Sequence, residues 1–188
     1  MRSRALAALG ARNLVLVGFM GTGKSTLGRA AARALGRPFR DTDALVVARV
    51  GSPVREIFAR EGEAGFRRHE AAVVAQAASA TGYVLATGGG ALADPDNLHA
   101  LRANGLLVAL HARPEVILAR VGGRRAGAQR PLLDTPDPLA RISELLKARA
   151  PLYAEADLEL DTSELAQRGA MRALLELVGA QGRRWGQG

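Results

Sequence analysis

Residues 18–26 read Gly-Phe-Met-Gly-Thr-Gly-Lys-Ser-Thr, and no other stretch constrains the fold as tightly. They fit G-x-x-x-x-G-K-[ST], a phosphate-binding loop whose successive backbone N–H groups curl around di- or triphosphate oxygens. Gly21, Thr22, Gly23, Lys24, Ser25 and Thr26 form its working part, with Lys24 reaching the outer phosphates and Ser25 offering a hydroxyl to Mg²⁺. Such a loop joins a strand to a helix. The apolar run Leu14-Val15-Leu16-Val17 supplies the strand and the Ala-rich stretch Leu27 to Leu35 the helix, whose N-terminal dipole faces the phosphates. The plain alternative is a glycine-rich turn that binds nothing. Lysine argues against it, because Lys24 and Lys147 are the only lysines among 26 basic residues.

The 188 residues suffice for one α/β domain, residues 1–188, with a sizeable core. The net charge of +8 invites nucleic acid, a membrane surface or small anions as partners. Aromatics make up only 4% of the chain and the arginines are spread out, so neither a stacking platform nor a basic stripe for nucleic acid is present. No apolar run reaches the length of a membrane span. Small polyanions fit best. The absence of cysteine excludes disulfides, thiol nucleophiles and Cys-ligated zinc and fits a reducing, cytoplasmic setting. His69, His99 and His111 are too scattered for a metal cluster.

Strand and helix signals alternate, which predicts an α/β fold with a parallel sheet covered by helices on both faces. After the first helix comes an extended stretch, Pro38 to Asp43, then two or three helices over 44–82 broken near Gly51-Ser52-Pro53 and Gly62. A buried strand, Tyr83 to Thr87, ends in Gly88-Gly89-Gly90. Asp94 and Pro95 open the next helix as N-cap and first helical residue. A fourth strand, Leu106 to Leu110, precedes a helix from Pro114 to about Val121, and a glycine- and arginine-rich segment follows to Pro131. A helix over about 137–149, a fifth strand Asp157 to Leu160 and a helix Glu164 to Val178 complete the chain. The first residues are expected to form a short frayed extension, and the tail 179–188 is expected to be disordered.

A phosphate loop alone names no reaction. No Asn-Lys-x-Asp follows a later strand, which removes the GTPase reading. Three further groups narrow the choice. Asp41 and Asp43 stand two apart at the end of the second strand. In extended chain both carboxylates project to one side, at the sheet edge where ligands sit. One serves the Mg²⁺ shell while the other receives or orients a hydroxyl proton; the alternative is that they only cap the next helix. Arg67 and Glu70 stand three apart in a helical stretch. Local sequence favours a solvated surface bridge; the functional alternative is an arginine fork held ready for a substrate carboxylate. Last comes the arginine-rich segment 120–130, followed by Arg141, Lys147 and Arg149, either a lid that neutralises phosphoryl charge or a solvated loop.

Taken in order, these segments resemble shikimate kinase. The matching stretches are residues 18–26, Asp41-Thr-Asp43, Ile57-Phe58 with Gly62-Glu63, and Phe66-Arg67-Arg68-His69-Glu70. Gly88-Gly89-Gly90-Ala91, Arg130-Pro131-Leu132-Leu133 and Arg149-Ala150-Pro151-Leu152-Tyr153 complete the set, which covers about residues 13–178. The resemblance implies transfer of the ATP γ-phosphoryl group to the 3-hydroxyl of shikimate, in aromatic amino-acid biosynthesis. It implies a nucleoside monophosphate kinase type of fold, a five-stranded parallel sheet ordered 2-3-1-4-5, with a substrate-binding region over about 44–82 and a lid over about 120–133. By the family pattern Asp43 holds the shikimate hydroxyls and is the candidate base, while Arg67 and Arg149 clamp the carboxylate and Gly89 adds a backbone contact. Lys24 and Arg130 face the β- and γ-phosphates, Ser25 ligates Mg²⁺ with Asp41 beside it, and Arg120 lies against adenine. The stretch between Arg120 and Arg130 is a few residues longer than usual in the family, so Arg124 and Arg125 share the candidacy of Arg120. The expected enzyme is a monomer using ATP and Mg²⁺, without nucleic acid or membrane. Its rivals are a kinase for another small hydroxy acid such as gluconate, a nucleic-acid-dependent ATPase, and a silent ATP-binding regulator.

Overall fold

Short apolar runs bounded by glycine or polar residues become strands, and the longer amphipathic stretches between them become the covering helices. The computed structural model describes residues 1–122 and 131–185. Its strands are β1 (Asn13–Gly18), β2 (Phe39–Asp41), β3 (Val84–Ala86), β4 (Gly105–His111) and β5 (Leu158–Asp161). They pair in the order β2-β3-β1-β4-β5, and every pairing is parallel. The central strand β1 sets Leu14 opposite Val84 on one side and Leu106 on the other. The helices are α1 (Arg2–Leu9), α2 (Lys24–Leu35), α3 (Thr42–Val50), α4 (Val54–Ser79), α5 (Pro95–Ala103), α6 (Pro114–Arg120), α7 (Pro138–Tyr153) and α8 (Gln167–Trp185).

Because side chains alternate along a strand, β1 feeds two cores. Val15 and Val17 join Leu85, Leu107 and Ala109 under Val74 and Ala77 of α4, Leu101 of α5, Ile117 of α6 and Ile142 of α7. Leu14 and Leu16 join Val84, Leu106, Val108 and Leu110 under α1, α2 and α8. A third, smaller cluster, Val46, Ile57, Phe66 and Val73, ties α3 to α4. Helix starts follow local chemistry. The Asp94 side chain accepts the Asp96 N–H at 2.9 Å ahead of Pro95, and Asp137 accepts from Ala140 N–H at 3.0 Å. The expected breaks occur where backbone chemistry demands them: α3 ends on left-handed Gly51, and α4 is kinked at Gly62, with φ 69° and ψ −175°.

Three expectations are corrected. The first residues are not a frayed extension: α1 packs against α8 with Ala5 and Leu9 fully buried. Nor is the chain after Val178 without structure, for α8 continues through Gly179 to Trp185. The physical reason is shared. Leu174, Leu175 and Val178 present an apolar stripe that α1 covers, and Gly179 lets the backbones close, since a Cβ there would stand 3.1 Å from Cβ of Arg4. Finally, β2 ends at Asp41, and Asp43 already lies in the first turn of α3, so the two carboxylates are not brought together by strand alternation. Residues 123–130, with Arg124, Arg125 and Arg130, lie outside the described residues, and so does most of the expected lid.

Candidate active site

The parallel sheet brings the ends of β1, β2 and β3 to one edge, where crevices form in open α/β sheets. At β1 the chain turns through the phosphate loop into α2, capped by Gly23 at φ 98°, a conformation that favours glycine. Lys24 is buried, and its Nζ donates to the carbonyls of Gly18 and Phe19, each at 2.8 Å. The ammonium is thereby held across the mouth of the loop. Thr22 Oγ1 donates to the Phe19 carbonyl at 2.8 Å and stiffens the same turn.

Ser25 Oγ donates to Asp41 Oδ2 at 2.6 Å. Asp41 also caps α3, its Oδ1 accepting the Asp43 N–H at 3.1 Å. The capping alternative is therefore correct for Asp41, and it is compatible with a place in the site. Asp41 and Asp43 both line a cavity of about 590 Å³, together with Gly21 to Thr26, Thr87, Arg120 and Thr162. Hard oxygen donors beside a phosphate loop suit Mg²⁺, which takes few protein ligands and completes its shell with phosphate and water.

A second cavity of about 140 Å³ adjoins it, lined by Asp43, Phe58, Arg67, Glu70, Gly88 to Gly90 and Arg149 among others. Met20, Asp43 and Gly89 line both. Here the surface-bridge expectation for Arg67 and Glu70 is overturned. The Glu70 side chain is 1% exposed, and Nη1 of Arg67 donates to its Oε2 at 2.5 Å while Nη2 donates to Glu63 Oε1 at 3.0 Å. Glu70 sits on the buried stripe Phe66, Glu70, Val73, Val74, Ala77 of α4; a carboxylate in an apolar stripe was the available signal. Burial pushes the Glu70 carboxyl above its ordinary range, against the pull of Arg67 and with reinforcement from Asp43. Burial draws the Arg67 guanidinium down, but Glu70 and Glu63 outweigh it and hold the charge on.

The triple-glycine turn lies against these groups without side chains of its own. A Cβ on Gly88 would overlap Glu70 Oε1 and stand 2.8 Å from Asp43 Oδ1, and one on Gly90 would overlap the Arg67 guanidinium. Gly88 N–H donates to the buried Thr42 hydroxyl at 3.0 Å. From α7, Nη1 of Arg149 and the Tyr153 hydroxyl both donate to the Gly89 carbonyl, at 3.1 and 2.7 Å. The Arg149 guanidinium also lies over the Phe19 ring, 5.4 Å from its centre. Sequence reasoning ended this helix near Arg149, ahead of Pro151; it runs on to Tyr153, whose burial raises its hydroxyl pKa and keeps it a donor.

Arg120 reaches the larger cavity from the end of α6, donating to the hydroxyl and carbonyl of Thr162 at 3.0 and 2.7 Å. Leu165, Gln167 and Ala170 complete the far end of this cavity and were not anticipated. They lie after β5, where residue spacing carries no phosphate-loop signal. Lys24, Ser25, Asp41, Asp43 and Arg120 thus share one cavity, while Arg67, Gly89 and Arg149 surround its neighbour. Arg130 lies outside the described residues.

Comparison with known proteins identifies the family. The family model for shikimate kinase matches residues 20–178. The chain is 46% identical over 173 residues to a shikimate kinase of Symbiobacterium thermophilum, covering 92% of this chain and 99% of its relative. Shikimate kinase from Acinetobacter baumannii, solved in complex with shikimate, superposes with a TM-score of 0.86 at 37% identity, covering 94% of this chain and 97% of the other. A gluconokinase from Sinorhizobium meliloti shares the fold alone, at 18% identity and a TM-score of 0.60 over 93% of this chain and 95% of that one. These matches, which span nearly all of the chain and of its relatives, establish that the chain belongs to the shikimate kinase family.

Proposed function

We infer that this protein transfers the γ-phosphoryl group of ATP to the 3-hydroxyl of shikimate. The observation that carries the reading is the junction of two cavities at Asp43, one built from the phosphate loop and the other from Arg67, Gly89 and Arg149. A small hydroxylated carboxylate needs a fixed cationic fork and a hydroxyl acceptor, and the smaller cavity holds both. Arg67, aligned by buried Glu70, and Arg149, resting on the Gly89 carbonyl, clamp the carboxylate.

Phosphoryl transfer depends on alignment and charge neutralisation more than on covalent chemistry. The clamp sets the acceptor hydroxyl in line with the γ-phosphorus. Its oxygen bonds to phosphorus, the bond to the β-phosphate oxygen breaks, and Asp43 takes up or steers the released proton. Lys24 and the loop amides offset charge on the phosphate oxygens. Ser25 and Asp41 would hold Mg²⁺, which when bound neutralises charge on the nucleotide phosphates. Arg130 is assigned to the same phosphates and residues 120–133 to a lid on the strength of the family pattern. Residues 44–82 form the substrate-binding part of a single kinase domain in this reading.

We read the protein as a cytoplasmic monomer. The absence of cysteine fits a reducing compartment, and among the described residues no helix is long and apolar enough to cross a membrane. The functional test is a coupled ADP-release assay with shikimate, gluconate or neither. Rapid release with shikimate alone is expected. Release that gluconate drives equally, or that shikimate fails to stimulate, overturns the assignment.

A further inference from the structure

Thr162 stands one position beyond β5 and is 3% exposed. Its Oγ1 lies 3.0 Å from Nη1 of Arg120, 3.1 Å from the Thr22 carbonyl and 3.0 Å from the His111 carbonyl. The His111 carbonyl already receives the backbone N–H of Thr162 at 2.9 Å. A hydroxyl has one proton to donate and lone pairs to accept with. The hydroxyl oxygen accepts from Arg120, and its proton is shared between two acceptors within reach, of which the Thr22 carbonyl is the one that residue 162 does not also bind through its backbone.

The Thr162 carbonyl accepts Nη2 of the same guanidinium at 2.7 Å. Two nitrogens of one planar group are thus gripped by two atoms of one residue, which sets the orientation of the plane. The carbonyl of Gly21, in the phosphate loop, lies 3.5 Å from Nη1. Without these anchors an arginine ending a helix at the surface would sample many rotamers, which binding would have to order. Four parts of the chain meet at this one hydroxyl: the end of β4, the start of the segment after β5, the last residue of α6 and the phosphate loop. Arg120, Thr162, Thr22 and Gly21 all line the larger cavity.

We propose that Thr162 is a positioning residue for the nucleotide. Accepting from Arg120 and donating to the Thr22 carbonyl, its hydroxyl presets the guanidinium and the phosphate loop in the arrangement to which ATP binds. This rests on the ATP-dependent kinase reading above and adds a residue to which sequence reasoning attached no role. A methyl in place of the hydroxyl would leave the Thr22 carbonyl without this donor and Arg120 with a single point of attachment to residue 162.

Thr162→Val conserves shape and removes the hydroxyl, while Thr162→Ser keeps it. The Kd for ATP is measured by calorimetry without shikimate, and KM for each substrate by ADP release. Thr162→Val is expected to raise the Kd and KM for ATP about five- to tenfold, as for loss of a buried hydrogen-bond network, with the shikimate KM within about twofold of wild type. Thr162→Ser is expected to stay within about twofold throughout. Should Thr162→Val not fold, Arg120→Lys, which keeps the charge and loses the two-point grip, carries the same expectation for ATP. An ATP Kd unmoved in Thr162→Val, or in Arg120→Lys where that variant replaces it, overturns the proposal. So does a loss in Thr162→Val that the serine variant shares or that strikes both substrates alike. The calorimetric arm keeps the two claims apart: wild-type protein that binds ATP but ignores shikimate refutes the kinase assignment, while the variants still decide on Thr162.

Discussion

Glu70 is the residue whose surroundings depart most from what its neighbours in sequence suggest. Its Oε2 is paired with Arg67, and its Oε1 is buried without a hydrogen-bond partner among the described residues, facing Gly88. Burial holds its folded-state pKa above the ordinary 4.5. Folding therefore favours the protonated form, whose contribution to stability is complete below the ordinary value and is lost as pH rises through the raised one. Glu70→Gln stays neutral and lacks that loss. Its Tm relative to wild type should climb as pH rises above the ordinary value of 4.5, and parallel melting curves would show that Glu70 does not titrate with a raised pKa. Asp43 is tested differently, since it opens onto both cavities. Asp43→Asn should lower kcat on the order of 10²-fold or more with an unchanged circular-dichroism spectrum. A near-native rate would remove it as the proton acceptor. Asp43 was expected at the site from its place at the end of the second strand, although it reaches the cavities from the first turn of α3 and not by strand alternation. The burial of Glu70 could be read only from its place in the apolar stripe of α4, because the i, i+3 pair with Arg67 reads the same on a wet face and a dry one.

The turn at 88–90 shows how an element acts through what it lacks. Gly88 and Gly90 leave room for the Glu70 carboxylate and the Arg67 guanidinium, which side chains would displace. Gly88→Ala should therefore raise the shikimate KM by about tenfold, since the added methyl forces the Glu70 carboxylate to shift. The ATP KM should hold within about twofold, because the phosphate loop lies on the other side of Asp43. Steady-state kinetics with each substrate varied decides this; equal damage to both constants would mean that the turn only supports the fold. The glycine run was visible in the sequence, but the groups packed on it come from three helices, Asp43 of α3, Arg67 and Glu70 of α4 and Arg149 and Tyr153 of α7, and residue spacing has no means of seating one on the other.

The molecule as a whole is closed by its ends. Helix α1, expected as a frayed extension, completes the core on the α2 face of the sheet together with Ala170, Leu174, Leu175 and Val178 of α8. Leu9 is 1% exposed there. Truncation to Ala should cost about 2–5 kcal/mol and lower the Tm by roughly 5–15 °C, with KM values untouched because α1 does not line the catalytic cavities. A Tm within about 1 °C of wild type would restore the frayed-end expectation. Strand identity, the parallel class of the sheet, the phosphate loop and the breaks at Gly51 and Gly62 were all readable from residue order. They depend on contacts a few positions apart: apolar runs, backbone freedom at glycine, and amides that must converge on a phosphate. Burial of Glu70, the Tyr153 and Arg149 donors on Gly89, the Thr162 grip on Arg120 and the fate of both ends arise from chain crossings. Thr162 meets Thr22 across 140 positions. Whether a polar group is dry, paired or shared depends on which distant backbone lands beside it, and that follows only once the sheet has folded the chain back on itself.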